Sequence, residues 1–292
     1  MRSSTEPKQY PVNQSPLYKL LGKGRLEIVL GIELDRLPRL LSSDNYRVWI
    51  NTQGREIQQP VRWLGRVHQR IGELLSRILI PEYVLSKRGS SYVENARQHK
   101  GDVPLAKTDI AKFYPSTTRP MVMEMFVREF RCAKDIAGIL ADICCYQQSH
   151  LPTGSPISGR VAYLAGKGMF DEVNQLAIKT GSKMTVYVDD ITISGPSVNK
   201  RLITDVRAII RKHGLKTKRS KTKTFAASAP KHVTGAVIVG DKIRLPNMRH
   251  KKIKETRSAL GAASGEEKER LARSLKGRLQ EAKQVLREIK EG

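Results

Sequence analysis

The spacing of apolar residues changes several times along the chain, and each change marks an element. From Leu17 to Leu41 they recur every three or four positions, which predicts mostly helix, and Trp63 to Leu79 repeats that spacing as an amphipathic helix. Between these two stretches, Tyr46 to Pro60 alternates around Gly54 and is expected to form a hairpin. Helical spacing returns over Met121 to Cys145, Arg160 to Lys179 and Asn199 to His213. Two shorter stretches have strand composition: one ends at Asp109, and the other, Met184 to Gly195, places β-branched and aromatic residues on both sides of Asp189 and Asp190. From about Lys231 a strand, a turn and a second strand end near Leu245. A basic helical region follows, broken by the small residues Ala259 to Gly265. Helices packed behind a small sheet built from the Asp109 strand and the Asp189-Asp190 hairpin give an α+β fold.

The paired acids carry the chemistry. Neighbouring residues of a flat strand face opposite sides of the sheet, whereas at a hairpin turn both acids can converge. Carboxylates a few ångströms apart repel one another, and a divalent cation with hard oxygen ligands, such as Mg2+, removes that cost. Asp109 closes a short apolar run and supplies a third acid. One Asp at a strand end with a distant Asp-Asp turn is the set that two-metal phosphoryl transfer requires: one cation activates a hydroxyl and the other holds a triphosphate leaving group. Taken singly, Asp109 also reads as a helix cap before Ile110, and Asp189-Asp190 as a solvated turn.

Charge adds a partner. Lys and Arg number 53 against 28 Asp and Glu, a formal charge of +25, which suits a chain that binds a polyanion. The surplus lies late, in Lys212, Lys216, Lys218, Arg219, Lys221 and Lys223 and again in Arg249, Lys251, Lys252, Lys254 and Arg257, so phosphate contacts are expected after the acidic hairpin. From Glu266 to Lys290 acids and bases mix at helical spacing, as on a solvated face. The residues before about Leu17 read as a loose arm. No apolar run reaches the roughly 18 residues of a membrane span and no signal segment opens the chain, so a cytoplasmic protein without a membrane partner is expected. Cys132, Cys144 and Cys145 have no zinc spacing and are expected in the core.

Several segments together resemble reverse transcriptases, and more closely the bacterial retron reverse transcriptases, over most of the chain. Tyr187-Val188-Asp189-Asp190 is similar to the family's Tyr-x-Asp-Asp box, and Asp109 with Phe113-Tyr114 to the preceding palm motif. Leu151-Pro152-Thr153-Gly154-Ser155-Pro156 resembles the loop that lies against the incoming nucleotide and template. Gly214-Leu215, followed by a run containing Lys221, resembles the segment leading to a lysine near the triphosphate, and Arg55 to Pro60 the fingers segment whose arginine contacts it. Asn95-Ala96-Arg97-Gln98-His99 and Val233-Thr234-Gly235 are similar to two elements of the retron enzymes. The chain departs from the pattern in three places. Trp49 to Gln53 holds no lysine, which puts triphosphate binding on Arg55 or Arg47; Thr153 stands where glutamine is common; and Lys112 stands where relatives have a polar or acidic residue.

The resemblance implies a right-hand polymerase fold, with an N-terminal arm and fingers over residues 1–105, a palm over 106–230, and a primer-grip region and helical thumb over 231–292. It implies an RNA-directed DNA polymerase with Asp109, Asp189 and Asp190 as ligands of two Mg2+ ions and Lys221 near the leaving phosphates. Arg55, Ile110, Tyr114 and Gly154 become nucleotide contacts, with the Tyr114 ring beneath the sugar, and Asn95, His99 and Thr234 become RNA contacts. Its partners are then deoxynucleoside triphosphates, a cognate non-coding RNA, the branched RNA-DNA product (msDNA) primed from a 2′-hydroxyl, and an effector protein in phage defence. Two alternatives stay open. One is a reverse transcriptase of the group II intron or diversity-generating kind, the intron version being disfavoured by the short chain; the other is an idle RNA-binding module of the same fold.

Overall fold

The computed structural model describes residues 8–87 and 89–287. In chain order the helices are α1 (Lys23–Leu30), α2 (Leu37–Leu40), α3 (Arg62–Ser76), α4 (Tyr92–Arg97), α5 (Phe113–Ser116), α6 (Arg119–Arg128), α7 (Lys134–Cys144), α8 (Ser158–Ala165), α9 (Lys167–Lys179), α10 (Lys200–Lys212), α11 (Asn247–Ala262) and α12 (Gly265–Leu286). The strands are β1 (Tyr46–Ile50), β2 (Glu56–Pro60), β3 (Leu105–Asp109), β4 (Lys183–Tyr187), β5 (Asp190–Ser194), β6 (Lys223–Phe225), β7 (Lys231–Val233), β8 (Ala236–Val239) and β9 (Lys242–Arg244). Two compact units emerge. Of the described residues, one comprises those up to Pro81 with Ile110–Asp171 and Lys212–Leu215; the other comprises those of Glu82–Asp109, Glu172–Arg211 and from Lys216 onward.

In the first unit, the helix expected over Leu17 to Leu41 is interrupted. Gly31 adopts a left-handed φ of 67°, and its N–H closes α1 on the Glu27 carbonyl. β1 and β2 form the expected antiparallel ribbon, Tyr46 opposite Pro60 and Ile50 opposite Glu56. α3 follows the amphipathic spacing, with Leu64, Val67, Ile71, Leu74 and Leu75 buried along one face. The single helix expected over Met121 to Cys145 is two, α6 and α7. Arg131 takes a left-handed φ of 56° and the Cys132 N–H turns back to the Phe126 carbonyl. The rings of Phe126 and Phe130 meet there with centroids 5.4 Å apart. The next expected helix also divides, into α8 and α9 on either side of Gly166.

The second unit is built on an antiparallel sheet of order β4-β5-β3-β6. The outer edge of β4 is closed by the chain at Tyr83 to Leu85: the Val186 N–H donates to the Tyr83 carbonyl at 2.7 Å and the Leu85 N–H to the Val186 carbonyl at 2.8 Å. β7, β8 and β9 form a three-stranded sheet where two strands were expected. Val93 and Ala96 of α4, Leu105, Val233, Ile238, and Ala282 and Val285 of α12 share one apolar cluster. Arg97 holds the end of α12, donating to the carbonyls of Gln284 and Arg287 at 3.3 and 2.7 Å. Tyr92, Glu281 and Arg249 join α4, α12 and α11 through mutual hydrogen bonds. No helix among the described residues is long and apolar enough to cross a membrane.

Candidate active site

Three strands deliver the acids of the second unit to one place. Asp109 ends β3 and Asp190 begins β5, and the two are register partners; Tyr187 of β4 faces Asp190 from the other side. Opposite residues of antiparallel strands point to the same face, so Asp109 and Asp190 share it. Asp189 lies in the two-residue turn, after Val188 with a left-handed φ of 60°. That is the turn position at which glycine is usual, and a β-branched residue there stores strain of order 1–3 kcal/mol. Lys221 reaches Asp109 through the backbone that precedes it. The Lys218 N–H donates to the Asp109 carbonyl at 2.8 Å, the hydroxyls of Thr108 and Thr222 meet at 2.8 Å, and the Lys221 ammonium then pairs with the Asp109 carboxylate.

The electrostatics are those of crowded acids. Burial pushes the Asp190 carboxyl up to about 6, with the charges of Asp109 and Asp189 adding and those of Lys107 and Lys221 opposing. Asp189 is also raised, first by burial and then by Asp109. Lys107 was not singled out from the sequence. It stands two residues before Asp109, hence on the same face of β3, and burial lowers its pKa while Asp190 acts to raise it. Among the described residues no three His, Cys, Asp or Glu side chains are gathered closely enough to hold a metal ion. The donor chemistry nevertheless fits a hard divalent cation: all three groups offer only oxygen, and two have raised pKa values, first through burial and then through their neighbouring carboxylates. Lys221 supplies Asp109 with a positive charge in this arrangement.

The two retron-like elements meet each other, and one of them bonds the acidic hairpin. The Asn95 side-chain amide donates to the Thr234 hydroxyl at 3.3 Å, and that hydroxyl donates to the Tyr92 carbonyl at 2.6 Å. His99 bonds Thr185 of β4 and Ser194 of β5 at 2.7 Å each, tying together both strands of the acidic hairpin. Asn95 and His99 are fully buried, so neither presents an atom to RNA in this structure. Burial, with the charge of Lys183 adding, lowers the His99 pKa to about 3, which keeps the ring neutral.

The expected nucleotide contacts belong to the first unit, and Asp109, Asp189, Asp190 and Lys221 belong to the second. Arg55 is exposed at the end of the β1–β2 turn, where its N–H and that of Gln53 are both held by the Asn51 side-chain oxygen at 3.0 and 2.9 Å. Arg47 lies over the Trp49 ring, 5.5 Å from its centroid. Tyr114 is half-buried with its ring stacked 5.9 Å from that of Phe113, whereas the Ile110 side chain is fully buried, leaving its backbone as the part able to meet a ligand. Gly154 has a φ of 130°, and a Cβ there would come within 2.8 Å of the Ile57 side chain. Gln58 and His68, which hold this loop, were not anticipated.

Comparison with known proteins identifies the family. The chain matches the reverse transcriptase (RNA-dependent DNA polymerase) family over residues 40–257. It is 28% identical over 239 residues to the retron Ec86 reverse transcriptase of Escherichia coli, covering 77% of this chain and 73% of that protein. Similarity to the retron Ec48 reverse transcriptase of Escherichia coli is 28% over 167 residues, covering 56% and 41%. For the retron Se72 reverse transcriptase of Salmonella heidelberg (strain 579083-10) it is 26% over 212 residues, covering 68% and 55%. Among solved structures, telomerase from Candida albicans in complex with the TWJ fragment of telomeric RNA is similar in fold, with a TM-score of 0.50, 11% identity, and coverage of 74% of this chain and 50% of that one. The fold is thus of the right-hand polymerase class.

Proposed function

The chain belongs to the reverse transcriptase family of RNA-directed DNA polymerases, and on that premise we propose that it copies part of a cognate structured RNA into a branched RNA-DNA product, as the retron resemblance implies, in phage defence with an effector protein. The single observation that carries the catalytic part of this reading is the register pairing of Asp109 with Asp190, with Asp189 in the adjoining turn. On this reading the three carboxylates would hold two Mg2+ ions, whose charge would supply activation of the primer hydroxyl and stabilisation of the departing pyrophosphate. Lys221, already beside Asp109, brings positive charge or a proton to the leaving phosphates. Lys107 steadies the Asp190 carboxylate from within the same face. Arg55 takes the triphosphate, because Arg47 is engaged over Trp49. Tyr114 lies beneath the sugar and excludes a 2′-hydroxyl, and Gly154 lets backbone approach the nucleotide closely.

Sequencing and debranching the nucleic acid that copurifies with the full chain tests the product. The expected result is a short DNA joined to an internal 2′-hydroxyl of one RNA. A DNA extended only from RNA or DNA 3′ ends would point instead to another class of reverse transcriptase.

A further inference from the structure

The loop between α7 and α8 is anchored on both sides of Gly154. On one side the Gln58 backbone N–H donates to the Thr153 carbonyl at 2.7 Å, and the Gln58 side-chain oxygen accepts from the Thr153 N–H at 2.8 Å. One residue of β2 therefore satisfies both backbone groups of Thr153. The Gln58 side-chain nitrogen donates to Glu56 at 2.7 Å, which fixes the direction of the amide. On the other side, His68 of α3, fully buried, bridges the Ser155 hydroxyl at 2.7 Å and the Ile143 carbonyl at 2.8 Å. A carbonyl only accepts, so Nε2 carries the proton and Nδ1 accepts from the Ser155 hydroxyl. Between the anchors Gly154 is pressed against β2: an added Cβ would lie 2.8 Å from the Ile57 side chain and 3.2 Å from the Gln58 carbonyl.

We propose that Gln58 and His68 are positioning residues that set the Thr153–Gly154 backbone, and through it the affinity and selection of the incoming deoxynucleotide. The proposal rests on the reading that this loop lies against nucleotide and template. The His68 anchor does not titrate in the working range, since burial pushes that imidazole down to about 4.

The test is single-nucleotide addition to an annealed primer–template by the full chain, with melting as a parallel measurement. Gln58→Ala and Ser155→Ala each remove a side-chain hydrogen bond that anchors the loop, and each is expected to raise KM for the correct deoxynucleotide about tenfold, the equivalent of one lost hydrogen bond, with kcat little changed. Mismatched incorporation should rise with it. The pair Glu56→Gln with Gln58→Glu keeps both side-chain hydrogen bonds with the inner one reversed, and should restore KM. Loss of kcat in step with folded fraction, at unchanged KM, would overturn the proposal, because a merely structural role removes molecules without altering their affinity. Should Gln58→Ala not fold, Ser155→Ala decides alone. Gly154→Ala separates the layers: an unchanged KM there defeats nucleotide contact by the loop itself. A raised KM there, beside unchanged values in the anchor variants, defeats positioning only.

Discussion

At the residue scale the site is costly to fold. Asp190 holds its charge against burial and two neighbouring carboxylates, so its folded pKa of about 6 lies above the ordinary value of 3.8. A raised acid destabilises the fold at neutral pH, and the cost fades as pH falls through 6 toward the unfolded value. Asp190→Asn is therefore expected to stabilise the protein in a chelator at pH 7.5 by on the order of 2 kcal/mol, with a smaller gain at pH 5. Divalent cation should raise the melting temperature of the unmodified protein more than that of the variant. A variant that melts lower than its parent in chelator at pH 7.5 would mean that the acids are not in conflict. The Asp-Asp pair was legible because β-branched residues flank it on both sides. Lys107 was hidden inside what read as an apolar run, although strand alternation alone puts it on the face of Asp109.

At the element scale, α4 and the residues after it act as a strut. Asn95 reaches Thr234 at the β7–β8 turn, and His99 bonds both strands of the acidic hairpin, at the middle of β4 and at the far end of β5. Removing His99 leaves two buried hydroxyls unpaired, so His99→Ala should cost roughly 1–3 kcal/mol for each. Extension of an annealed primer and synthesis on the cognate RNA should fall by the same factor; a selective loss on the cognate RNA would restore direct recognition to this residue. The imidazole is a base kept neutral, so its stabilisation is whole above about pH 6.5 and is lost as pH falls toward its folded value of about 3. Between those limits the parent should lose stability more steeply than His99→Asn does. Apolar spacing announced α3 and α10, and the ribbon followed from its punctuation. It missed the break between α6 and α7, since a left-handed Arg131 has no signal of the glycine or proline kind. β9, three residues long with alternate exposure, is too short for a period to register. His68 carried a readable hint: it follows Val67 and precedes Ile71 on the buried stripe of α3, where a polar residue must find internal partners.

At the scale of the whole molecule two properties are separable: a surplus of positive charge and a small cluster of acids. The net charge of +25 is spread over many Lys and Arg, several on α11, where none of the residues is buried. Binding of RNA phosphates by such a surface is governed by counterion release and owes nothing to the carboxylates. Chemistry belongs to Asp109, Asp189 and Asp190. The double variant Asp189→Asn with Asp190→Asn, assayed for both DNA synthesis and RNA affinity across a salt series, tests this division most directly. DNA synthesis should be abolished, while RNA affinity stays within a few-fold and its salt dependence keeps the same slope. Full polymerase activity in that variant would contradict the assignment of catalysis to these acids.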